Sequence, residues 1–225
     1  MDKRKARNAR IMPRWSFVLL AMLALGIGAY AFALYGDYDG MKARDFVTSK
    51  EIELPDLWYK VLWVHAAASG VALSIGWLQF VKRLRRRKTG LHRAIGYLYS
   101  VMLTAGGVTG LYMAFYADGG WIGRTGFATL SVLWLYTLYR SLKSIIADRD
   151  VKAHGGWMTR NYALTCAGIM LRAYTAIADG ALGITDTNDS FVVIGWLAWV
   201  PNLIFAQWLI NRRRIHEPPA TTLQL

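Results

Sequence analysis

Long uncharged apolar runs alternate with short charged segments along the whole chain. The runs occupy roughly residues 15–35, 57–81, 94–116, 125–146, 157–178 and 191–211. About 20 apolar residues cross a hydrocarbon core as a helix. A charged side chain at the centre of such a helix costs about 2.5–3.5 kcal/mol on insertion scales, so charges collect in the connections. The pattern predicts an all-α integral membrane bundle of six transmembrane helices. The helical domain covers residues 15–211, between a basic segment at 1–14 and a polar tail at 212–225. No linker, low-complexity segment or repeat divides it, so one domain is expected.

Charge gives the runs a direction. Of the 27 Lys and Arg residues, 21 fall on one side of this layout. Six lie in the N-terminal segment, seven in Lys82–Arg93, five in Arg140–Arg160 and three in Arg212–Arg214. Lys42, Arg44, Lys50, Lys60 and Arg124 fall on the other side, and Arg172 lies within a span. Short basic loops stay in the cytoplasm, so both termini are expected there. Acidic residues lean the other way: Asp37, Asp39, Asp45, Glu51, Glu53 and Asp56 share the first outer loop, and Asp179, Asp186 and Asp189 the last.

Composition then falls into place. The chain is 55% hydrophobic yet carries a formal net charge of +13, a combination that segregation along the sequence explains. It also argues against nucleic acid as a partner, because no soluble module presents a basic patch interleaved with aromatics. The basic start followed by an apolar stretch resembles a signal peptide, but 15–35 is longer than the usual 7–15-residue apolar region. An uncleaved first span is expected. The single Cys166 excludes an intramolecular disulfide and reads as a small buried hydrophobe. The run Lys82–Lys88 reads as a topology anchor on anionic headgroups at the cytoplasmic face. Trp15, Trp58, Tyr59, Trp121, Trp157 and Trp208 read as interface anchors. The bilayer is thus the one partner the sequence identifies; it points to no particular protein partner.

Candidate chemistry lies where polarity sits in hydrocarbon, because it is costly there. Helical phase puts His65, Ser69, Ala72, Gly76 and Gln79 on one face of the second span. The third span aligns His92, Gly96, Tyr99, Leu103, Gly106 and Gly110, and the fifth aligns His154, Met158, Asn161, Thr165, Gly168 and Arg172. In the sixth, Asn202 follows Pro201, where a kink is expected. Small residues on these faces permit close helix approach, and their polar neighbours bond across helices. Depth separates two layers. His65 and Arg172 fall in the outer half, while His92 and His154 stand at the inner ends of their spans with Gln79 and Asn161. His216 lies in the polar tail and has no assigned role.

Several chemistries lack their parts. There is no HExxH pair, no GxSxG elbow and no phosphate-binding glycine motif. No Asp or Glu lies inside a span, and no inverted repeat of broken helices is visible, which argues against an ion-coupled transporter. Two imidazoles at equal depth on neighbouring helices suit the iron of haem b. The leading expectation is therefore a redox-linked protein with haem b or a quinone headgroup in the bundle. His92 and His154 would be the axial, metal-ligating pair, with His65 and Arg172 as a polar cofactor-binding site in the outer half. The rivals are a non-catalytic accessory or assembly protein, whose polar groups only fix helix packing, and a transporter of a small solute.

These same residues carry a resemblance. His65 with Gly70, Ala72, Leu73, Gly76 and Gln79 is followed by an Arg-rich loop and Leu91-His92-Arg93 with Gly96 and Tyr99. Then come His154, Trp157 through Ala163, and Leu171-Arg172. The chain from about residue 40 to 210 is similar to bacterial membrane proteins grouped as domain of unknown function 2306. The resemblance implies a multi-pass protein of the bacterial plasma (inner) membrane and marks His65, His92, His154, Arg160 and Arg172 as positions that match the family pattern. A more distant likeness to cytochrome b561-type bundles would imply haem and quinone chemistry.

Overall fold

The computed structural model describes residues 14–48, 50 and 52–215. The segment before Arg14 and the tail that holds His216 lie outside them. Every element among the described residues is helical. The order is α1 (Arg14–Tyr35), α2 (Tyr38–Lys42), α3 (Asp45–Thr48), α4 (Asp56–Gly76), a 3₁₀ turn (Trp77–Phe80), α5 (Lys82–Arg87), α6 (Thr89–Ala114), α7 (Gly120–Ile146), α8 (Val151–Thr165), α9 (Ala167–Leu182), α10 (Thr187–Leu197) and α11 (Val200–Ile215).

Four segments are long and apolar enough to cross a membrane: Trp15–Tyr35, Asp56–Phe80, Thr89–Ala114 and Thr187–Arg213. The expected spans at 125–146 and 157–178 are helical too, but fall outside that set. The physical reason is visible in their burial. Ser131, Thr137, Ser141 and Ser144 of α7, and Thr159, Asn161 and Thr165 of α8, are buried polar side chains. They lower the hydropathy of the two helices and turn it inward.

Helices α4, α6, α7 and α8 form the centre: α4 packs on α6, α6 on α7, α7 on α8, and α8 touches α4. Helix α1 covers α4, while α10 covers α7 and α11 covers α8. The core gathers Ala72, Tyr99, Leu103, Trp134, Leu138, Met158, Tyr162 and Trp199. Gly76 ends α4 against two of these rings; a Cβ there would lie 2.5 Å from the Tyr162 ring and 2.6 Å from Tyr99. Gly126 plays the same part between α7 and α10, where a Cβ would meet the Gly195 carbonyl oxygen at 2.8 Å.

The last two expected spans are interrupted midway. A turn at Cys166 separates α8 from α9, and Ala198–Trp199 separates α10 from α11. Pro201 has no amide hydrogen for the Leu197 carbonyl, which ends the first of the latter pair. Asn202 Nδ2 donates to the Ala198 carbonyl at 3.0 Å and covers part of the break.

The antiparallel order gives the bundle a basic end, with α5 and the start of α8, and an acidic end, with α2 and α3. A second cluster at the acidic end packs Tyr35, Met41, Val47, Leu62 and Trp58. Trp58 is 2% exposed. It is not the interface anchor that its position near a span end suggests, because α2 and α3 fold over it. Trp15, Trp121 and Trp208 are exposed, as interface residues are. Trp157 is held between Arg140 and Arg160, whose guanidinium carbons lie 4.5 and 4.6 Å from its ring.

Candidate functional site

The polar stripes read from the sequence meet in three places. The middle one is a closed hydrogen-bond network. Tyr99 OH donates to Asn161 Oδ1 at 2.7 Å and lies 2.8 Å from Thr165 Oγ1. Asn161 Nδ2 donates to the Trp134 carbonyl at 2.9 Å and to Thr137 Oγ1 at 2.8 Å. Trp134 Nε1 donates to Thr165 Oγ1 at 2.8 Å, and Thr137 Oγ1 donates to the Trp134 carbonyl at 3.1 Å. Every amide, indole and hydroxyl hydrogen here has an acceptor, which is the condition for burying polar groups without a large penalty. The network joins α6, α7 and α8 at mid-depth. Its chemistry is that of a rivet.

The second place is the basic end. His92, in the first turn of α6, and His154, in the first turn of α8, line one cavity of about 80 Å³. Gln79, Phe80, Arg85, Met158, Thr159 and Arg213 complete most of its wall. His154 Nδ1 lies 3.0 Å from the Ser141 carbonyl and 2.9 Å from Ser141 Oγ. Ser141 thus meets Nδ1 with both a carbonyl that accepts and a hydroxyl that can donate or accept. His92 Nδ1 is buried and has no hydrogen-bond partner. Gln79 Nε2 donates weakly, at 3.4 Å, to the His92 carbonyl. Arg85 lies close enough to repel both Arg213 and His92 electrostatically. No carboxylate lines the cavity among the described residues. Asp150, at the start of α8, is turned to the backbone instead and accepts from the Lys152 and Ala153 amides at 2.9 Å.

The third place is the outer half, where the two expected residues are not brought together. His65 Nδ1 donates to the Gly106 carbonyl of α6 at 2.9 Å. Arg172, on α9, donates to Tyr35 OH at 2.8 Å and stands 5.5 Å from the centre of the Tyr30 ring. Its partners thus come from α1, and not from His65, with which the sequence grouped it in the outer half. Buried Ser69 Oγ, near His65, has no hydrogen-bond partner. Cys166 is half-buried against the core, as expected of a small hydrophobe.

Arg85 and Arg213 are the site residues that the stripes do not reveal. Arg85 sits in the basic run on α5, and Arg213 in the last turn of α11; neither has a periodicity that sets it apart from its neighbours. Trp134, Thr137 and Ser141 did leave a signal, since they recur at intervals of three and four along α7. Among the described residues, no three His, Cys, Asp or Glu side chains gather to hold a metal ion.

A bundle of long apolar helices around a polar interior defines a membrane protein with transmembrane helices. The model of a family described as "Predicted membrane protein (DUF2306)" matches residues 62–210, and the chain belongs to that family. No curated protein and no solved structure matches it.

Proposed function

We propose that the chain crosses the bacterial inner membrane six times with both termini in the cytoplasm, and that it binds a polar ligand in the cavity at its basic, cytoplasmic end. One observation carries the second half: Arg85, His92, His154 and Arg213 come from four helices to one cavity that no carboxylate lines among the described residues. Gathering like charges opposes folding, so a site built this way favours a ligand of opposite charge. The basic split of the sequence supports the topology, as does the central position of α7 and α8 among the apolar helices. Reporter fusions test it: periplasmic after Arg124 and cytoplasmic after Arg214. A reversed reading at either position overturns it.

The site itself is tested by accessibility. Gly155 lines the cavity, and a Cβ there meets nothing within 4 Å. A Gly155→Cys variant in a Cys166→Ala background should react with a membrane-impermeant thiol reagent from the cytoplasmic side only. Absence of reaction from that side sinks the assignment.

The haem b reading of His92 and His154 draws on one feature. Ser141 holds His154 at Nδ1 through its carbonyl and its hydroxyl, which leaves Nε2 for a ligand. The cavity between the two rings is about 80 Å³. That is room for two or three waters at about 30 Å³ each, and a tetrapyrrole does not fit without parting the helices. A quinone headgroup is neutral and leaves the gathered cations uncompensated. The reduced-minus-oxidised absorption spectrum of the purified protein should therefore lack a b-type band. A band that disappears in His92→Ala and His154→Ala would replace the anion site with a redox one.

A further inference from the structure

We infer that Arg172 holds the phosphate of a membrane phospholipid in the cleft between α1 and α9. This site lies at the acidic end of the bundle and stands apart from the basic-end cavity.

Arg172 is a cation that the fold does not compensate. The two ion pairs among the described residues, Lys42 with Asp39 and Lys50 with Asp118, do not include it. Its partners are neutral: the Tyr35 hydroxyl at 2.8 Å and the Tyr30 ring, 5.5 Å away. A guanidinium carries five N–H donors. One hydrogen bond goes to Tyr35, and no second one engages the group among the described residues. The Tyr30 ring steadies the charge from one face, but neither tyrosine supplies a negative one. A charge left without a counter-ion beside hydrocarbon is costly. The remaining N–H fork matches the oxygens of an anion such as phosphate.

Depth and access make that anion a lipid's. Tyr35 is the last residue of the apolar segment Trp15–Tyr35, and Gly36 and Asp37 follow it. The guanidinium bonded to its hydroxyl therefore stands near the boundary between acyl chains and headgroups. Long cationic side chains reach for that level. The end of α1 is roofed, because Tyr35 packs beneath Met41 of α2 and Val47 of α3 and is 8% exposed. The lateral side is open. Arg172 is only half-buried, Tyr30 is 47% exposed, and Phe32 of α1 and Ile177 of α9 present apolar surface outward. A phospholipid that arrives sideways from the bilayer can set its phosphate on Arg172 and lay its acyl chains along the two helices.

The test uses the full-length protein stripped of lipid in detergent. Dioleoylphosphatidylglycerol, dioleoylphosphatidylethanolamine and dioleoylglycerol, which lacks the phosphate, are added in turn, and inorganic phosphate separately. Lipid retained in native mass spectrometry and the thermal midpoint are the readouts. Both phospholipids should raise the midpoint beyond the effect of dioleoylglycerol, and the parent should retain one phospholipid more than Arg172→Gln. Affinity for that lipid should fall about tenfold in Arg172→Gln. Arg172→Lys keeps the charge and should keep most of the binding. Tyr35→Phe removes the bond within the protein but leaves the guanidinium, so it should retain the extra lipid even with a lowered midpoint. This variant separates lipid binding from a purely structural role and serves if Arg172→Gln does not fold. Equal lipid retention by the parent and Arg172→Gln overturns the inference, as does loss of the extra lipid in Tyr35→Phe. A response to dioleoylglycerol equal to that of the phospholipids removes the phosphate from the account. An equal response to inorganic phosphate overturns the lipid source.

Discussion

At the acidic end Lys50 and Asp118 pair at 2.6 Å, their side chains 8% and 15% exposed. At the basic end Arg85 and Arg213 repel one another beside a cavity that no carboxylate lines among the described residues. The acidic-end pair is fully furnished. Lys50 also donates to the Tyr116 carbonyl at 3.1 Å, Thr187 Oγ1 donates to Asp118 Oδ2 at 2.7 Å, and Asn188 Oδ1 accepts from the Gly119 amide at 3.3 Å. Three connections between helices are thereby tied at one point. Charge that finds its complement inside the chain holds loops in place. Charge that finds none is available to something outside the chain, and this difference is what supports the site proposed at the basic end.

Removing charge should therefore have opposite consequences at the two ends. Lys50→Met leaves Asp118 buried without its cation and should cost about 3 kcal/mol, read as a lowered thermal midpoint in detergent. The double variant Lys50→Met, Asp118→Leu should recover much of that loss; failure to do so would show that the pair is not what ties the loops. Between the ends, Asn161→Leu removes the acceptor of the Tyr99 hydroxyl and the amide that donates to the Trp134 carbonyl and the Thr137 hydroxyl, at about 2 kcal/mol. A change below about 0.5 kcal/mol, within the range of ordinary surface substitutions, would mean that the network is dispensable. Tyr35→Phe removes the hydrogen bond to Arg172, and its cost should be near the roughly 0.6 kcal/mol average for bonds within membranes. Smallest of all, Arg213→Gln relieves repulsion at the basic end and should leave stability within about 0.5 kcal/mol of the parent. A large loss there would mean that the guanidinium has a structural partner, and the contrast between the ends would fail.

How much of this was readable beforehand depends on what each residue answers to. The helices were legible because a bilayer imposes one rule, apolarity over about 20 residues, and the helix bounds at Tyr35, Phe80 and Ala114 follow it closely. The two least apolar helices obey a different rule. Asn161, Thr165 and Thr137 are tolerated at depth because each has a partner on another helix, and partnership across helices is not a property of any single stretch. His92 and His154 were legible as an inner pair through equal depth, and they do line one cavity. Arg172 was legible as a polar residue in need of company, but its company came from Tyr35, 137 positions away. Trp58 looked like any tryptophan near a span end. Only the short helices α2 and α3, which bury it, distinguish it from Trp121.

The interruptions at Cys166 and at Ala198–Trp199 bear on mechanics. Ala167, Ala198 and Trp199, beside these joints, all belong to the central core cluster. The joints divide the last third of the chain into two storeys, α8 with α11 toward the basic end and α9 with α10 beyond. A crease of this kind lets a stiff rod pair tilt without breaking the ladder of bonds inside either half. His154 and Arg213 ride on the same storey, whereas His92 stands on the uninterrupted α6. Tilting that storey therefore changes the gap between the two imidazoles while leaving the riveted mid-plane as its fulcrum.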